Sequence, residues 1–166
     1  MTDFRFLNPE RFSVGTVGEI GSRVFLLQAI DGPRVLTVKV EKQQIAVLAT
    51  YLSRAIEGLG RPGHLPEDLD LVLSPDQGID FAAGNLSVAI DDASGNVEVS
   101  IESISDDDLP FDTAVIVVTK EQAAAFAIHA TLLVESGRPP CPLCGLPLDP
   151  RGHDCPRTNG HRAPIT

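Results

Sequence analysis

The chain has 166 residues, 43% of them apolar and 22% charged, with a net charge of −10 and an isoelectric point near 4.7. This mixture is that of a folded globular protein and excludes wholesale disorder, collagen and a disulfide scaffold. No apolar run approaches the roughly 18 residues of a membrane span, the first nine residues lack a signal-peptide pattern, and a uniformly acidic field repels phosphate backbones, so the expectation is a cytoplasmic protein without membrane or nucleic-acid partners.

In chain order, residues 12–17 and 23–30 are β-rich, Asp31-Gly32 signals a hairpin turn, and residues 35–40 resume the alternation. Glu41-Lys42-Gln43-Gln44 opens a helix whose apolar face is Ile45, Leu48, Leu52, Ile56 and Leu59, and Gly58, Gly60 and Pro62 end it. Residues 60–76 read as a loop with three prolines and few packing residues. Residues 79–90 are strand-like, with Gly84-Asn85 a possible break, and residues 91–96 have turn chemistry. Val97, Val99 and Ile101 alternate with polar residues in a half-exposed strand. Asp106-Asp107-Asp108 reads as a turn, and residues 114–118 as a strand buried on both faces. Thr119, with Gln122 in the capping-box position, starts a second helix in which only His129 and Thr131 are polar from 123 to 134. Gly137, Pro139 and Pro140 stop it.

A shift of 78 residues superposes Val40 on Val118, Lys42 on Lys120, Gln44 on Gln122 and Glu57 on Glu135. Two pseudo-repeated halves are expected, residues 1–62 and 77–137, each made of strands followed by one helix, with chance likeness between amphipathic helices as the alternative. The fold class is α+β, with two main helices on antiparallel sheet. Charge places the boundary of this body. Residues 1–137 carry 9 Lys/Arg against 21 Asp/Glu, and residues 138–166 carry 4 against 2. The last segment also holds all three cysteines and seven of the 13 prolines. It continues neither helix nor sheet and reads as a separate small unit.

Within it, Cys141-Pro142-Leu143-Cys144-Gly145 places two thiols on a tight turn, and His153 and Cys155 return after an eight-residue loop. Cys3His is a common tetrahedral set for structural Zn2+. His161 is the alternative fourth ligand to His153. A redox pair or a Cys141–Cys144 disulfide would leave Cys155 unused. A tail with almost no core needs some other source of order, and a metal supplies one. Four protein ligands leave no open coordination position, so the zinc is expected to be structural.

Other constellations are weaker. The glycine run 15–21 lacks the Lys-Ser/Thr of a phosphate loop and reads as a wide hairpin turn. Asp91/Asp92 and Asp106–Asp108 read as solvated turns, and His129 as a core histidine. His64 has no visible partner. Lys42, Gln44, Lys120 and Gln122 begin both helices at equivalent positions and form a candidate anion or ligand site, with ordinary helix starts as the simpler reading.

Arg11-Phe12, Gly15-Thr16-Val17-Gly18, residues 25–29 and 41–44, and the closing run of residues 137–150 with Gly152-His153 and Cys155-Pro156-Arg157 together resemble an uncharacterised actinobacterial family, the domain of unknown function numbered 3090. The resemblance covers residues 4–162 and implies a compact cytoplasmic protein with no established activity. In the family's pattern a tyrosine follows Asn-Gly. His161 after Asn159-Gly160 departs from it, which favours His153 as ligand. The expected function is a non-enzymatic zinc-binding accessory protein acting on protein partners. The alternatives are an enzyme for a small metabolite between the halves, or nucleic-acid binding through the tail, which has four arginines but no stacking aromatic.

Overall fold

The computed structural model describes residues 2–18, 22–74, 78–104 and 111–135, together with the backbone of 153–154 and 162–163. The elements run β1 (Asp3–Phe6), β2 (Arg11–Val17), β3 (Val24–Asp31), β4 (Arg34–Val40), α1 (Lys42–Glu57), β5 (Phe81–Asp91), β6 (Asn96–Ser103), β7 (Thr113–Val118) and α2 (Lys120–Glu135), with a two-stranded ladder of β8 (His153–Asp154) and β9 (Arg162–Ala163). The body is α+β. Strands β1 to β7 form one sheet in the order β1-β7-β6-β5-β4-β3-β2.

Two antiparallel meanders, β2-β3-β4 and β5-β6-β7, each lead into a 16-residue helix, and the two helices are offset by 78 residues. The sheet is mixed, because its joints are parallel: β5 pairs with β4, and β1 pairs with β7. The first strand of each half therefore lies on the last strand of the other. Strand β1 carries no periodicity long enough to reveal it in sequence; pairing with β7 alone makes it a strand.

The connection between β1 and β2 constrains the whole sheet. These strands occupy opposite edges, about 29 Å apart in a flat seven-stranded sheet. Only residues 7–10 join them, and five Cα steps reach at most about 18 Å. The sheet must curl and stagger until the end of β1 and the start of β2 come within that reach. The contacts agree. Phe4 lies 5.9 Å from Phe81, centroid to centroid, and the Arg34 guanidinium sits 4.3 Å over the Phe6 ring while donating to the Arg5 carbonyl at 2.7 Å.

One face of the curl is a continuous apolar layer. Phe12 and Val14, Leu27 and Ala29, Leu36 and Val38, then Val97, Val99 and Ile101, and Ala114, Ile116 and Val118 are all almost fully buried. Their pairings place them in register across the strands. Helix α1 adds Ile45, Leu48 and Leu52, and α2 adds Ala123, Phe126, Ala127 and Ala130. Helix α2 is buried over its alanine-rich first half, whereas Ile128 and Leu132 are exposed, so it is less enclosed than its composition suggests.

The expected break at Gly84 is a bulge inside one strand: the β5–β6 register shifts between Ala83 and Asn85. A Cβ on Gly84 would approach the Ser103 carbonyl oxygen at 3.1 Å, so glycine is the residue that fits. The bulge also moves the helix-facing positions of β5 from Phe81 and Ala83 to Leu86, Val88 and Ile90.

The strand buried on both faces is β3, from Phe25 to Ile30, and not β7, whose alternate residues are half-buried. Residues 68–72 cross its second face; the segment is a loop with few packing residues, as expected, and it is held mainly through its backbone. Arg11 donates to the Asp70 carbonyl at 3.0 Å and pairs with Asp68 at 2.5 Å. The Gln28 amide donates to the Val72 carbonyl at 2.8 Å, and its oxygen accepts from the Val72 N–H at 2.7 Å. A side-chain amide thus stands in for a paired strand. Leu71 packs on the bare backbone of Gly15, where a Cβ would meet its Cγ at 2.6 Å. Gly15 is accordingly a strand residue accommodating this strap. The turn begins at Gly18, whose φ is +103°.

Gly15→Ala is expected to destabilise the protein by about 1–3 kcal/mol through overpacking. Adding Leu71→Ala should recover part of that loss, which a double-mutant cycle by chemical denaturation would measure.

Candidate functional site

The two helix starts, singled out as a candidate ligand site, are built alike. At α2 the Gln122 N–H donates to the Thr119 hydroxyl at 3.1 Å, and the Thr119 N–H donates to Gln122 Oε1 at 3.0 Å, a capping box. At α1 the Glu41 N–H donates to Gln44 Oε1 at 2.8 Å. The amide nitrogens then reach into the opposite half. Gln122 Nε2 donates to the Pro9 carbonyl just before β2 at 2.8 Å. Gln44 Nε2 donates to the carbonyls of Ala83 and Gly84 at the β5 bulge, both at 3.0 Å.

Each glutamine caps its own helix and clasps the other half, Gln122 just before β2 and Gln44 within β5. Both ends of both amides are engaged inside the protein. Lys42 and Lys120 occupy the first helical position of their helices and are half-buried. Neither lines the two cavities described between α1 and β5.

The two helix–strand junctions differ. Against β2, Phe126 of α2 stacks on Phe12 at 4.3 Å and 13°, which seals that side. Against β5, α1 leaves open cavities of about 250 and 630 Å3 that share Tyr51 and Leu86 as lining residues.

Among the described residues no group of three or more His, Cys, Asp or Glu comes together to hold a metal. Asp91 serves its turn, its carboxylate accepting from the Ala93 N–H at 3.2 Å and the Ser94 hydroxyl at 2.7 Å. His129 is half-buried on α2, and His64 is exposed on the strap. Asp106–Asp108, Cys141, Cys144, Cys155 and His161 lie outside the described residues. Of the Cys/His set only the backbone of His153 is described, paired with Ala163 in the β8–β9 ladder.

Sequence reasoning missed Gln28. Its signal was a lone glutamine inside the apolar run from Phe25 to Ile30, a buried polar residue that needed partners. The Ser13 hydroxyl, opposite Gln28 in the ladder, is buried and has no partner among the described residues.

The model of the family DUF3090, described as a protein of unknown function, matches residues 4–155. The chain belongs to this family. The DUF3090 span includes Cys141, Cys144, His153 and Cys155 and leaves His161 outside. Nothing among the curated proteins or the solved structures matches the chain. Among the described residues no helix is long and apolar enough to cross a membrane.

Gln122→Leu is expected to destabilise the fold by about 1–3 kcal/mol, since it removes a cap and strands the Pro9 carbonyl. Lys120→Ala should stay within about 0.5 kcal/mol of wild type. Thermal denaturation of both variants checks this.

Proposed function

We propose that this protein is a zinc-binding accessory protein of the cytoplasm, without catalytic activity, in which residues 138–166 form a knuckle held by Cys141, Cys144, His153 and Cys155. The donor set carries the reading. Three thiolates and one imidazole match the preference of Zn2+ for four soft or borderline ligands, and all four fall within the matched family span. His161 falls outside that span. A segment of 29 residues with seven prolines has little apolar material from which to build a core, and metal binding is then folding energy. Arg151 and Arg157 beside the cysteines would offset thiolate charge.

With four protein donors the metal has no open position for substrate or water, so its role is structural. The two glutamines that could have served a ligand are committed to caps and clasps, which weakens the case for a metabolite site between the halves. A reducing compartment keeps the thiols available for metal. The knuckle would then present a docking element for a protein partner.

Purified, tag-free protein is expected to carry about one zinc per chain by elemental mass spectrometry. Cys144→Ser and His153→Ala should lose it, and His161→Ala should keep it, while the melting transition of the body stays unchanged. Zinc retained in Cys144→Ser would overturn the ligand assignment.

A further inference from the structure

The open junction between α1 and β5 combines two features. The first is a free strand edge in the middle of the sheet. Strand β5 pairs with β4 only at Val38–Phe81 and Lys39–Ala82, after which β4 turns away into α1. From Asn85 to Asp91, β5 is paired with β6 alone, and among the described residues no strand lies on its other edge. In such a ladder every second residue directs its N–H and C=O outward, ready for another strand.

The second feature is an apolar wall beside that edge. Leu86, Val88 and Ile90 project on the helix side with a period of two, opposite buried Ile101, Val99 and Val97. Val47 and Tyr51 of α1 face the same cavities and remain 47% and 43% exposed. The equivalent junction in the other half is filled by the Phe12–Phe126 stack; this one is not.

We propose that the α1–β5 groove binds an extended peptide segment of a partner protein, which adds a strand to β5 at residues 85–91 and inserts apolar side chains at alternate positions against Val47, Tyr51, Leu86 and Val88. Backbone pairing supplies the affinity and the period-two wall supplies the selectivity. Electrostatics select the flanks of the peptide. Asp92 and Arg54 balance each other in the lining, so the field at the ends of the groove is that of the chain as a whole, which carries −10. A segment neutral at its centre and basic at its ends is complementary; an acidic one is repelled. The proposal uses no residue of the Cys/His segment, so it stands or falls separately from the zinc assignment.

The test uses the full chain and a fluorescent heptapeptide with lysine at both ends and valine alternating with threonine between them. A second peptide of the same sequence is N-methylated at alternate residues, and a third has glutamate ends. Fluorescence anisotropy should show saturable one-to-one binding. N-methylation should weaken it at least tenfold, glutamate ends should weaken it, and Tyr51→Arg, a change at an exposed helix position, should abolish it without altering the melting temperature. Amide exchange should slow selectively at residues 85–91. Equal binding of the N-methylated peptide would overturn strand addition. Protection elsewhere, or no binding at about 1 mM peptide, would overturn the groove as the site. A dimer that Tyr51→Arg dissolves would show that a second copy of this chain occupies the edge, which also overturns the proposal.

Discussion

Four residues between β1 and β2 govern the architecture. Because residues 7–10 must span the two edges of a seven-stranded sheet, the sheet has to wrap, and wrapping brings each half onto the other. Strand β1 reaches β7, β5 reaches β4, and each helix settles on the first strand of the opposite meander, α2 on β2 and α1 on β5. Gln44 and Gln122 hold these joints with one amide each, capping a helix with the oxygen and clasping a carbonyl of the opposite half with the nitrogen. Neither half can keep its helix packed without the other, so the body is expected to unfold as one cooperative unit.

Such exchange explains what was legible in the sequence. Periodicity and capping chemistry are local, so both helices, the Asp31-Gly32 hairpin and the alternation of Val97, Val99 and Ile101 could be read directly. The parallel joints are not local. Strand β1 is four residues long and is a strand only because β7 lies beside it. Whether a strand is covered on its second face depends on what crosses it. Residues 114–118 are more apolar than β3, yet it is β3 that has a strap across its second face. That strap looked like an empty loop because its anchors are backbone groups of Asp70 and Val72, which no side-chain pattern reveals.

The candidate sites divide in the same way. The helix-start residues matched by sequence offset occupy matching places, and at both the glutamine amide serves as cap and clasp. The Cys/His spacing in the tail is a chemical signal that needs no fold, which is why it could be read from residues alone. The α1–β5 opening had no sequence signal. Leu86, Val88 and Ile90 read as ordinary strand residues, and among the described residues their edge is left unpaired because the β4–β5 pairing ends at Lys39.

The identity of the metal shell tests this account most directly. X-ray absorption at the zinc edge of the purified full chain should give three sulfur neighbours at about 2.3 Å and one nitrogen at about 2.0 Å. A first shell dominated by nitrogen and oxygen, or a water among the ligands, would contradict a closed structural site, and the tail would then have to be considered as a reactive centre.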